Sequence, residues 1–514
     1  MSTSAALPAG ITAAPLPGPL RARHAEVGIA RLPALCQAVA DAGGRLRSLW
    51  GTDDRDLGRG FTLWLALEDD AGLLVSASPL HAHAPEHPDL APIFPVAARL
   101  QRANFDLTGI RAKGGDGRGW LDHGQWQTFP LRIAGMDRRD RDEPPEYPFV
   151  RVTGEGVHEI AVGPVHAGII EPGHFRFAVV GEKVLRLETR LGYTHKGIER
   201  RFIGMTLTEG ARLAARISGD STVAFGWAYA MAAEALTGTE VSTRACALRA
   251  LLLERERLAN HLGDLGALGN DGGFAFGLSQ FSRLKEDLLR RNESAFGARY
   301  PLDAIVPGGV GRDLDEPARK DLLTDLPLLE REVATLRAIY DDHSGLQDRF
   351  VGAGCASPEL ARRLGLIGLA GRASGVARDE RVDGDLQPYR ALGVRRAGRD
   401  EGDVAARVAV RFEEACESLR LCRSLLENLP PGPATVALAP ATGEGFALGS
   451  VEGWRGPVLV AIQTGADGRI RRCRPHDPSW QNWPVVEYAA IGNIVADFPL
   501  INKSFNLSYS GHDL

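Results

Sequence analysis

Two segments that lie far apart in the chain carry polar residues at a spacing that could do chemistry. Ser218 and Ser221 in the first segment, and Ser479 and Asn482 in the second, are three positions apart. This spacing places two side chains beside each other on one helical turn. Thiolates at these four positions would form a site for a soft, redox-active metal, but hydroxyl and amide groups bind such a metal poorly. The sequence therefore predicts a scaffold for redox chemistry that has lost its metal centre.

The elements around these segments are predicted to bring them together. Helix dominates from Ile198 to about Leu429, and the Ser218 segment lies where one helix begins. Near the C-terminus, two strand patterns flank Asp467-Gly468, which is a hairpin signal. The Ser479 segment follows directly. We therefore expect a loop carried by a sheet to place the second segment at the same helical core as the first.

Length and composition restrict the number of domains and the class of protein. The 514 residues are too many for one simple core, so two or more domains are expected. A formal net charge of −5 argues against a nucleic-acid binder. No apolar run approaches the roughly 18 residues that span a bilayer, so any membrane contact is expected through partners.

The cysteines do not form a recognisable site. Six are present and none belongs to a CxxC pair, which excludes both a disulfide framework and a cluster pattern. We interpret them as thiols in a reducing cytosol.

The chain is predicted to have an α+β fold with two domains. Residues 1–25, rich in Ala and Pro, are predicted to be a disordered leader, and residues 26–135 a small α/β domain with the order helix–strand–strand–strand–helix. Residues 136–150, dense in charge and Pro, are predicted to be a linker. Residues 151–514 are predicted to be a mainly helical domain with peripheral antiparallel sheets.

One long helix is predicted from about Ser242 to Gly269. Its leucines form an apolar stripe, and its other face carries Glu254, Arg257, His261 and Asp264. We interpret this polar face as solvated or facing a partner, in preference to a catalytic face, because amphipathic helices are common.

Further motifs resemble those of a known family. They are Val162-Gly-Pro-Val-His166, Leu191-Gly-Tyr-Thr-His-Lys-Gly-Ile-Glu199, Leu251-Leu-Leu-Glu-Arg-Glu-Arg-Leu-Ala-Asn-His261, Pro307-Gly-Gly-Val310, Arg372-Ala-Ser-Gly375 and Glu401-Gly-Asp403. From about Leu32 to the C-terminus the chain resembles the large subunit of group 4 nickel–iron hydrogenases and the quinone-pocket subunit of respiratory complex I. Its N-terminal region resembles the small C-type subunit that accompanies these proteins, here fused. The fold that this implies is a complex I C-type domain joined to a hydrogenase-large-subunit-like domain.

The resemblance places this chain's serines and asparagine at the hydrogenase metal site. The four cysteines that hold nickel and iron in the hydrogenases correspond to Ser218, Ser221, Ser479 and Asn482. The resemblance therefore implies that no nickel–iron centre is bound here. Asp220, at the centre of the first motif, is a candidate to replace the lost polar function.

The resemblance to complex I implies an acceptor site. The tyrosine that contacts the quinone there corresponds to Gly219, and the histidine corresponds to His174 in a longer loop. The aspartate that pairs with this histidine corresponds to Asp271, and such a pair passes protons near neutral pH. An arginine near the partner's iron–sulfur cluster corresponds to Arg216, for which a structural ion pair is the alternative. The family's cluster-facing histidine is absent from this chain.

Three functions are in keeping with these residues. The first is a subunit of a membrane-associated oxidoreductase complex of the NADH:quinone oxidoreductase or hydrogenase type, lining a pocket for a quinone or another acceptor. It would bind no cofactor of its own and would lie on the inner face of the cell membrane, with a small iron–sulfur subunit, a ferredoxin-like subunit and antiporter-like membrane subunits as partners.

The other two functions are a non-catalytic assembly subunit and an enzyme with a different metal. In the last case zinc or iron would be held by residues among His166, His174, His195 and Asp220. A wide apolar cleft that ends at Ser218 and His174 would favour the quinone pocket, whereas a filled crevice would favour the assembly role.

Overall fold

The N-terminal part of the chain is a five-stranded sheet covered by two helices. The computed structural model describes residues 7–132, 147–168 and 170–514. The elements of this part are β1 (Ala14–Pro15), β2 (Ala22–Glu26), α1 (Leu32–Asp41), β3 (Arg45–Asp53), β4 (Phe61–Asp69), β5 (Gly72–Leu80), β6 (Glu86–Pro88), α2 (Ala97–Thr108) and β7 (Arg111–Lys113). The strand order is β1-β2-β5-β4-β3, and β6 pairs with β7. The predicted order of helix, three strands and helix is confirmed by α1, β3, β4, β5 and α2.

The predicted leader differs from the structure. Strand β2 pairs in parallel with β5, and Ala22 and Ala25 are buried, so residues 22–26 belong to the sheet. Residues 22–26 have apolar residues three positions apart, which is not the alternation typical of a strand. Their pairing with β5 nevertheless supplies the hydrogen bonds of a strand. Of the predicted linker, residues 136–146 lie outside the described part of the chain.

Both faces of the N-terminal sheet are buried. One face packs on α1 and α2. On the other face Trp50, Trp64 and Val75 pack against Leu448 and Leu459 of the second domain. The two domains therefore share apolar surface, and this contact fixes how they sit on each other.

The second domain opens with an antiparallel sheet of three strands, in the order β10-β9-β8. The strands are β8 (Val157–Val162), β9 (His174–Val180) and β10 (Lys183–Arg190), as the alternating polarity predicted. In the pairing of β9 with β10, His174 lies opposite Arg190.

Helices form the body of the second domain. They and the short strands between them are α3 (Ile198–Phe202), α4 (Leu207–Ala214), α5 (Thr222–Thr237), α6 (Thr243–Asp271), α7 (Ala275–Phe296), β11 (Ile305–Val306), β12 (Gly309–Val310), α8 (Glu316–Asp342), α9 (Ser344–Phe350), α10 (Pro358–Leu364), α11 (Gly368–Arg372), α12 (Glu380–Asp383), α13 (Tyr389–Leu392) and α14 (Val404–Glu427). Within the described ranges, no helix is both long and apolar enough to cross a bilayer.

Helix α6 corrects the interpretation of its polar face. Glu254, Arg257, His261 and Asp264 are all buried, although a solvated or partner-facing side was expected. They are paired with charged residues of other elements: Arg381 binds Glu254, and Glu414 of α14 binds both Arg257 and His261. Helix periodicity showed which residues share a face, but not that a second charged helix covers it.

The C-terminal part carries the second motif. Strands β13 (Gly445–Glu452), β14 (Pro457–Thr464) and β15 (Ile470–His476) form an antiparallel sheet in that order, followed by α15 (Ser479–Ala489), α16 (Phe498–Phe505) and α17 (Ser510–Asp513). Helix α5 packs against β13 and β14. The predicted hairpin is thus confirmed, and it leads directly into the Ser479 segment.

Candidate functional site

The first motif is a tight turn between α4 and α5. Ser221 is the last residue before α5, and its backbone N–H donates to the carbonyl of Ser218 over 3.1 Å. The turn buries the side chains of Ser218 and Ser221 and leaves Gly219 exposed. The predicted position of this motif at a helix start is therefore confirmed.

An ion pair occupies the centre of the motif. Two nitrogens of Arg455, from the turn between β13 and β14, lie 2.8 and 2.6 Å from the two carboxylate oxygens of Asp220. The hydroxyl of Ser218 donates to Asp220 Oδ1 over 2.7 Å, and that of Ser221 over 3.3 Å. Burial raises the pKa of Asp220, but the charge of Arg455 and these hydrogen bonds outweigh it and hold the pKa at about 2. Asp220 is therefore ionised at neutral pH.

Two further side chains hold the backbone of the turn. The carbonyl of Asp220 accepts from Trp454 Nε1 and from Asn260 Nδ2, both over 2.8 Å. Trp454 precedes Arg455, and Asn260 belongs to α6. The β13–β14 turn and α6 thus fix the same carbonyl, so the carboxylate of Asp220 has one position relative to Arg455.

A single serine joins the two motifs. Ser508, between α16 and α17, donates its backbone N–H to Ser479 Oγ over 2.9 Å. Its hydroxyl lies 3.1 Å from the hydroxyl of Ser218. The O–H of Ser218 donates to Asp220, so Ser218 Oγ accepts from Ser508. The expected closure of two distant segments on one site is therefore present, through a residue that the sequence did not single out.

Asn482, the second polar residue of the second motif, is also hydrogen-bonded within the chain. The amide of Asn482 donates to the carbonyl of Ile367 over 3.2 Å and accepts from its N–H over 3.1 Å. Ile367 immediately precedes α11. Asn482 therefore attaches α15 to α11, and both polar atoms of its side chain are used in that attachment.

These residues do not fit a nickel–iron centre. The donors are neutral hydroxyl and amide groups, which bind soft metals poorly, and their hydrogen bonds are made within the chain. A metal cation would also meet the guanidinium of Arg455. In the described ranges no group of three or more His, Cys, Asp or Glu residues is arranged to hold a metal, so His166, His174, His195 and Asp220 form no such group.

A buried acid lies beneath the first motif. Glu256 of α6 accepts from the N–H of Val223 over 2.7 Å and from that of Ala224 over 3.2 Å, at the N-terminus of α5. Burial raises its pKa to about 8, against the opposing effect of these two N–H groups. Glu256 is one helical turn before Asn260, so a group that changes its proton near neutral pH lies next to the motif. In the sequence this stretch of α6 stood out only as a family motif, without a role for Glu256.

His174 lies in the first sheet of the second domain, away from the predicted aspartate. Its Nδ1 donates to the carbonyl of Gly163 over 3.2 Å, because a carbonyl only accepts. Burial lowers the pKa of His174, which keeps the ring neutral at pH 7. Asp271, at the end of α6, is half-buried, and no hydrogen bond or ion pair joins it to His174 among the described residues. Burial raises the pKa of Asp271, with Lys503 opposing.

Arg216 forms a surface ion pair. Its guanidinium lies 2.5 and 2.7 Å from the two carboxylate oxygens of Asp303, and both side chains are exposed. Arg216 therefore forms the structural ion pair that was the alternative to a role beside a partner's iron–sulfur cluster. At Gly219 an added Cβ would meet no atom within 4 Å, so the position of the complex I tyrosine is open space.

A cavity of about 570 Å³ adjoins His174. It lies between the segment 117–124 of the first domain and strands β9 and β10 of the second. Its lining includes Phe149, His174, Arg176, Arg190 and Tyr193, but not Ser218. His174 thus borders a cavity that Ser218 does not line, and Ser218 lies in a crevice filled by hydrogen-bonded side chains. Of the two alternatives set out for this region, the filled crevice at Ser218 favours the assembly role, and the open cavity at His174 leaves room for an acceptor.

Arg455 and Ser508 are the main site residues that sequence reasoning missed. Arg455 follows Trp454 in a Gly-rich turn between two strands, which predicts a loop but not an inward-facing cation. Ser508 lies between α16 and α17, in a part of the chain for which no element was predicted. Neither has a spacing that relates it to the motifs, so only the folded chain reveals them.

Two family models match this chain. The model for the 49 kDa subunit of respiratory-chain NADH dehydrogenase matches residues 271–442. The model for the 30 kDa subunit of the same enzyme matches residues 25–135.

Two relatives align with most of the chain. Formate hydrogenlyase subunit 5 of Escherichia coli K12 is 33% identical over 486 residues, which are 92% of this chain and 85% of the relative. The fused C/D subunit of NADH-quinone oxidoreductase from Bacteroides thetaiotaomicron is 28% identical over 406 residues, 74% of this chain and 77% of the relative. A chain in the solved structure of the membrane-bound sulfane sulfur reductase, an archaeal respiratory membrane complex, superposes with a TM-score of 0.66. It covers 71% of this chain and 100% of that chain at 24% identity, a likeness of fold alone.

Proposed function

Because the chain belongs to the family of group 4 hydrogenase large subunits and fused C/D subunits of NADH-quinone oxidoreductase, we propose that it is a subunit of a membrane-associated oxidoreductase complex with no nickel–iron centre of its own. The observation that supports the absence of a nickel–iron centre is the Asp220–Arg455 pair. It contacts Ser218 and Ser221, two of the four residues that correspond to the metal-binding cysteines of the hydrogenases, and the polar groups there are hydrogen-bonded within the chain.

In this proposal the acceptor binds in the cavity beside His174. Electrons come from an iron–sulfur cluster of a small partner subunit, and two electrons with two protons reduce a quinone to a quinol. His174 is suited to supply a proton because Nδ1 is fixed on Gly163, which leaves Nε2 as the position where a proton is taken up and released.

The proposal includes partners and a location, and family membership supports both. We place the chain on the inner face of the cell membrane, held there by a cluster-bearing subunit, a ferredoxin-like subunit and antiporter-like membrane subunits. The exposed surface around Gly219 and Arg216 is where the cluster-bearing subunit docks in this proposal.

A second candidate function is favoured by one observation. The crevice between the motifs is filled by side chains that hydrogen-bond to one another, as a non-catalytic assembly subunit would require. In that case the chain keeps the scaffold for its partners and the cavity at His174 takes no acceptor.

Turnover of the assembled complex separates the two candidates. We expect His174→Gln to slow acceptor reduction by about a hundredfold, the range of lost general acid–base catalysis, with all subunits still co-purifying. The matched control is His158→Gln, an exposed histidine of β8. Unchanged turnover in His174→Gln would leave the assembly role, and Asp271→Ala tests in the same assay whether that carboxyl also relays protons.

Metal analysis tests the remaining part. After desalting, we expect nickel well below one atom per chain in the purified complex. Stoichiometric nickel bound by this chain would overturn the proposal whatever the turnover results.

A further inference from the structure

The cavity beside His174 is positively charged. Among the residues that line it, three are arginines, Arg118, Arg176 and Arg190, and one is an aspartate, Asp122. Arg118 is neutralised by Asp116 and Glu188, each 2.7 Å away. Arg176 has one partly exposed ion pair, with Glu159 over 3.2 Å, which solvent screens. The main uncompensated charge is therefore that of Arg190, with a smaller contribution from Arg176.

Arg190 is a buried cation without a directly bonded carboxylate. It is 4% exposed, and in the described part of the chain its guanidinium donates to three backbone carbonyls, those of Gly119, Trp120 and Asp122. The carboxylate of Asp106 acts to raise the pKa of Arg190 but is itself hydrogen-bonded to the N–H groups of Trp120 and Leu121. A buried charge of this kind is costly unless an anion compensates it.

The sheet places two more groups beside Arg190. His174 lies opposite Arg190 in the β9–β10 pairing, and Arg176, two residues along β9, points to the same face. His174 is nine-tenths buried, and its Nε2 has no hydrogen-bond partner among the described residues. The Nε of Arg176 is also buried and unpartnered there, and its Nη1 reaches Glu159 at 3.2 Å on the surface. Three nitrogen-bearing side chains thus line one cavity, and two of them, His174 and Arg176, have a nitrogen without a hydrogen-bond partner among the described residues.

Aromatic rings form the rest of the wall. Phe149 lies against His174 with ring centroids 5.2 Å apart, and Tyr193 borders the same space. A volume of about 570 Å³ is ample for a two- or three-ring molecule. The rings and the guanidinium groups are in contact with each other: the guanidinium of Arg176 lies 4.6 Å from the ring centre of Phe149, and that of Arg190 lies 4.4 Å from the ring centre of Tyr147.

We infer that this cavity binds an aromatic acceptor that carries an anionic group, with the anion held by Arg190 and Arg176 and the ring beside His174. The inference rests on the proposed function, because it names the chemical class of the acceptor for that site. Neutral His174 has a lone pair at Nε2, so binding of the anion favours its protonated form and brings a proton to the acceptor. The other charged or titratable groups that face it are Arg118, His123, Asp122, Tyr147 and Tyr193.

Two matched probes test the inference on the purified full chain. Anthraquinone sulfonate and an uncharged hydroxymethyl anthraquinone differ in the anionic group. Their dissociation constants are measured by quenching of tryptophan fluorescence at fixed ionic strength. We expect the sulfonate to bind at least about tenfold more tightly, the scale of one charge-assisted hydrogen bond. Arg190→Gln and Arg176→Gln should each remove most of this preference.

Controls separate binding from folding and from turnover. Arg186→Gln changes an exposed arginine of β10 that does not line the cavity and should keep the preference. Arg190 is buried, so if Arg190→Gln does not fold, the half-buried Arg176 decides the test. Equal affinity for the two probes, or a preference kept in Arg176→Gln, would overturn the inference. A preference for the sulfonate together with normal turnover of the complex in His174→Gln would instead remove the proposed function and leave an anion site.

Discussion

Arg455 donates from Nη1 and Nη2 to the two carboxylate oxygens of Asp220, over 2.8 and 2.6 Å, near the point where the two motifs meet. The nitrogen of the same arginine that remains, Nε, donates to the carbonyl of Asn506 over 2.5 Å. One side chain therefore links the first motif to the segment that carries Ser508. A fixed charge pair can hold the crevice closed, because its hydrogen bonds connect the turn before α5, the turn between β13 and β14, and the segment after α16.

This pair predicts a specific dependence of stability on pH. The folded pKa of Asp220, about 2, lies below its value in the unfolded chain, so the pair stabilises the fold above about pH 4 and loses its effect as pH falls towards 2. We expect Asp220→Asn to lower the free energy of unfolding at pH 6 by about 1 kcal/mol. The loss is smaller than the full pKa shift implies because the side chain is 36% exposed and solvent screens the pair.

Urea unfolding of both proteins from pH 6 to pH 3 measures this effect. The gap between wild type and Asp220→Asn should narrow as pH falls. Asp287→Asn, in an exposed pair with Arg283, is the control and should cost less than about 0.5 kcal/mol. A gap that is constant with pH would mean that the charge of Asp220 is not what stabilises the turn.

Local pattern predicted more of the fold than of the site. Strands β3, β4 and β5 and the β14–β15 hairpin follow from alternation and turn residues, and α5 begins where the Ser218 motif placed it. The polar face of α6 could not be placed, because its periodicity is the same whether water or α14 lies opposite. The closing residues Arg455 and Ser508 depend on contacts between distant segments, and no local signal encodes these.

The buried face of α6 gives a second prediction. Arg372 is 1% exposed and lies 2.7 Å from both Glu414 and Glu452. Removing it leaves buried Glu452 without its cation among the described residues and leaves Glu414 with Arg257 and His261 alone. Arg372→Met should therefore lower the free energy of unfolding by about 3–5 kcal/mol. Arg216→Met removes an exposed pair and should cost less than about 1 kcal/mol. Denaturant midpoints of the two variants provide the comparison, and equal midpoints would show that the α6 network is not stabilising.

Glu256 predicts an effect of pH with the opposite sign. Its folded pKa, about 8, is above the unfolded value, so the folded chain binds the extra proton and stability falls as pH rises from about 4.5 to 8. Glu256→Gln lacks this titration. Between pH 5 and pH 8.5 the wild type should therefore lose stability relative to the variant, by at most about 1.4 kcal/mol per pH unit.

Thermal unfolding of the two proteins across this range is the measurement. If the stability of wild type and of Glu256→Gln changed with pH in the same way, the group that titrates would not be Glu256. Glu256 would then have no role in proton uptake at the motif. Glu293→Gln, a change at an exposed carboxylate of α7, shows what a surface substitution does under the same conditions.

The open space at Gly219 gives the last prediction. An added Cβ at Gly219 meets nothing within 4 Å, whereas one at Gly511 would lie 2.4 Å from Asp477 Oδ2. Gly219→Tyr should therefore change the free energy of unfolding by less than about 0.5 kcal/mol, and Gly511→Ala should lower it by about 1–3 kcal/mol through overpacking. In complexes of Gly219→Tyr that still contain the cluster-bearing subunit, the KM for the acceptor should be unchanged, because Gly219 does not line the cavity beside His174. A fall in KM would mean that the acceptor reaches the exposed turn of the first motif and that the site lies there.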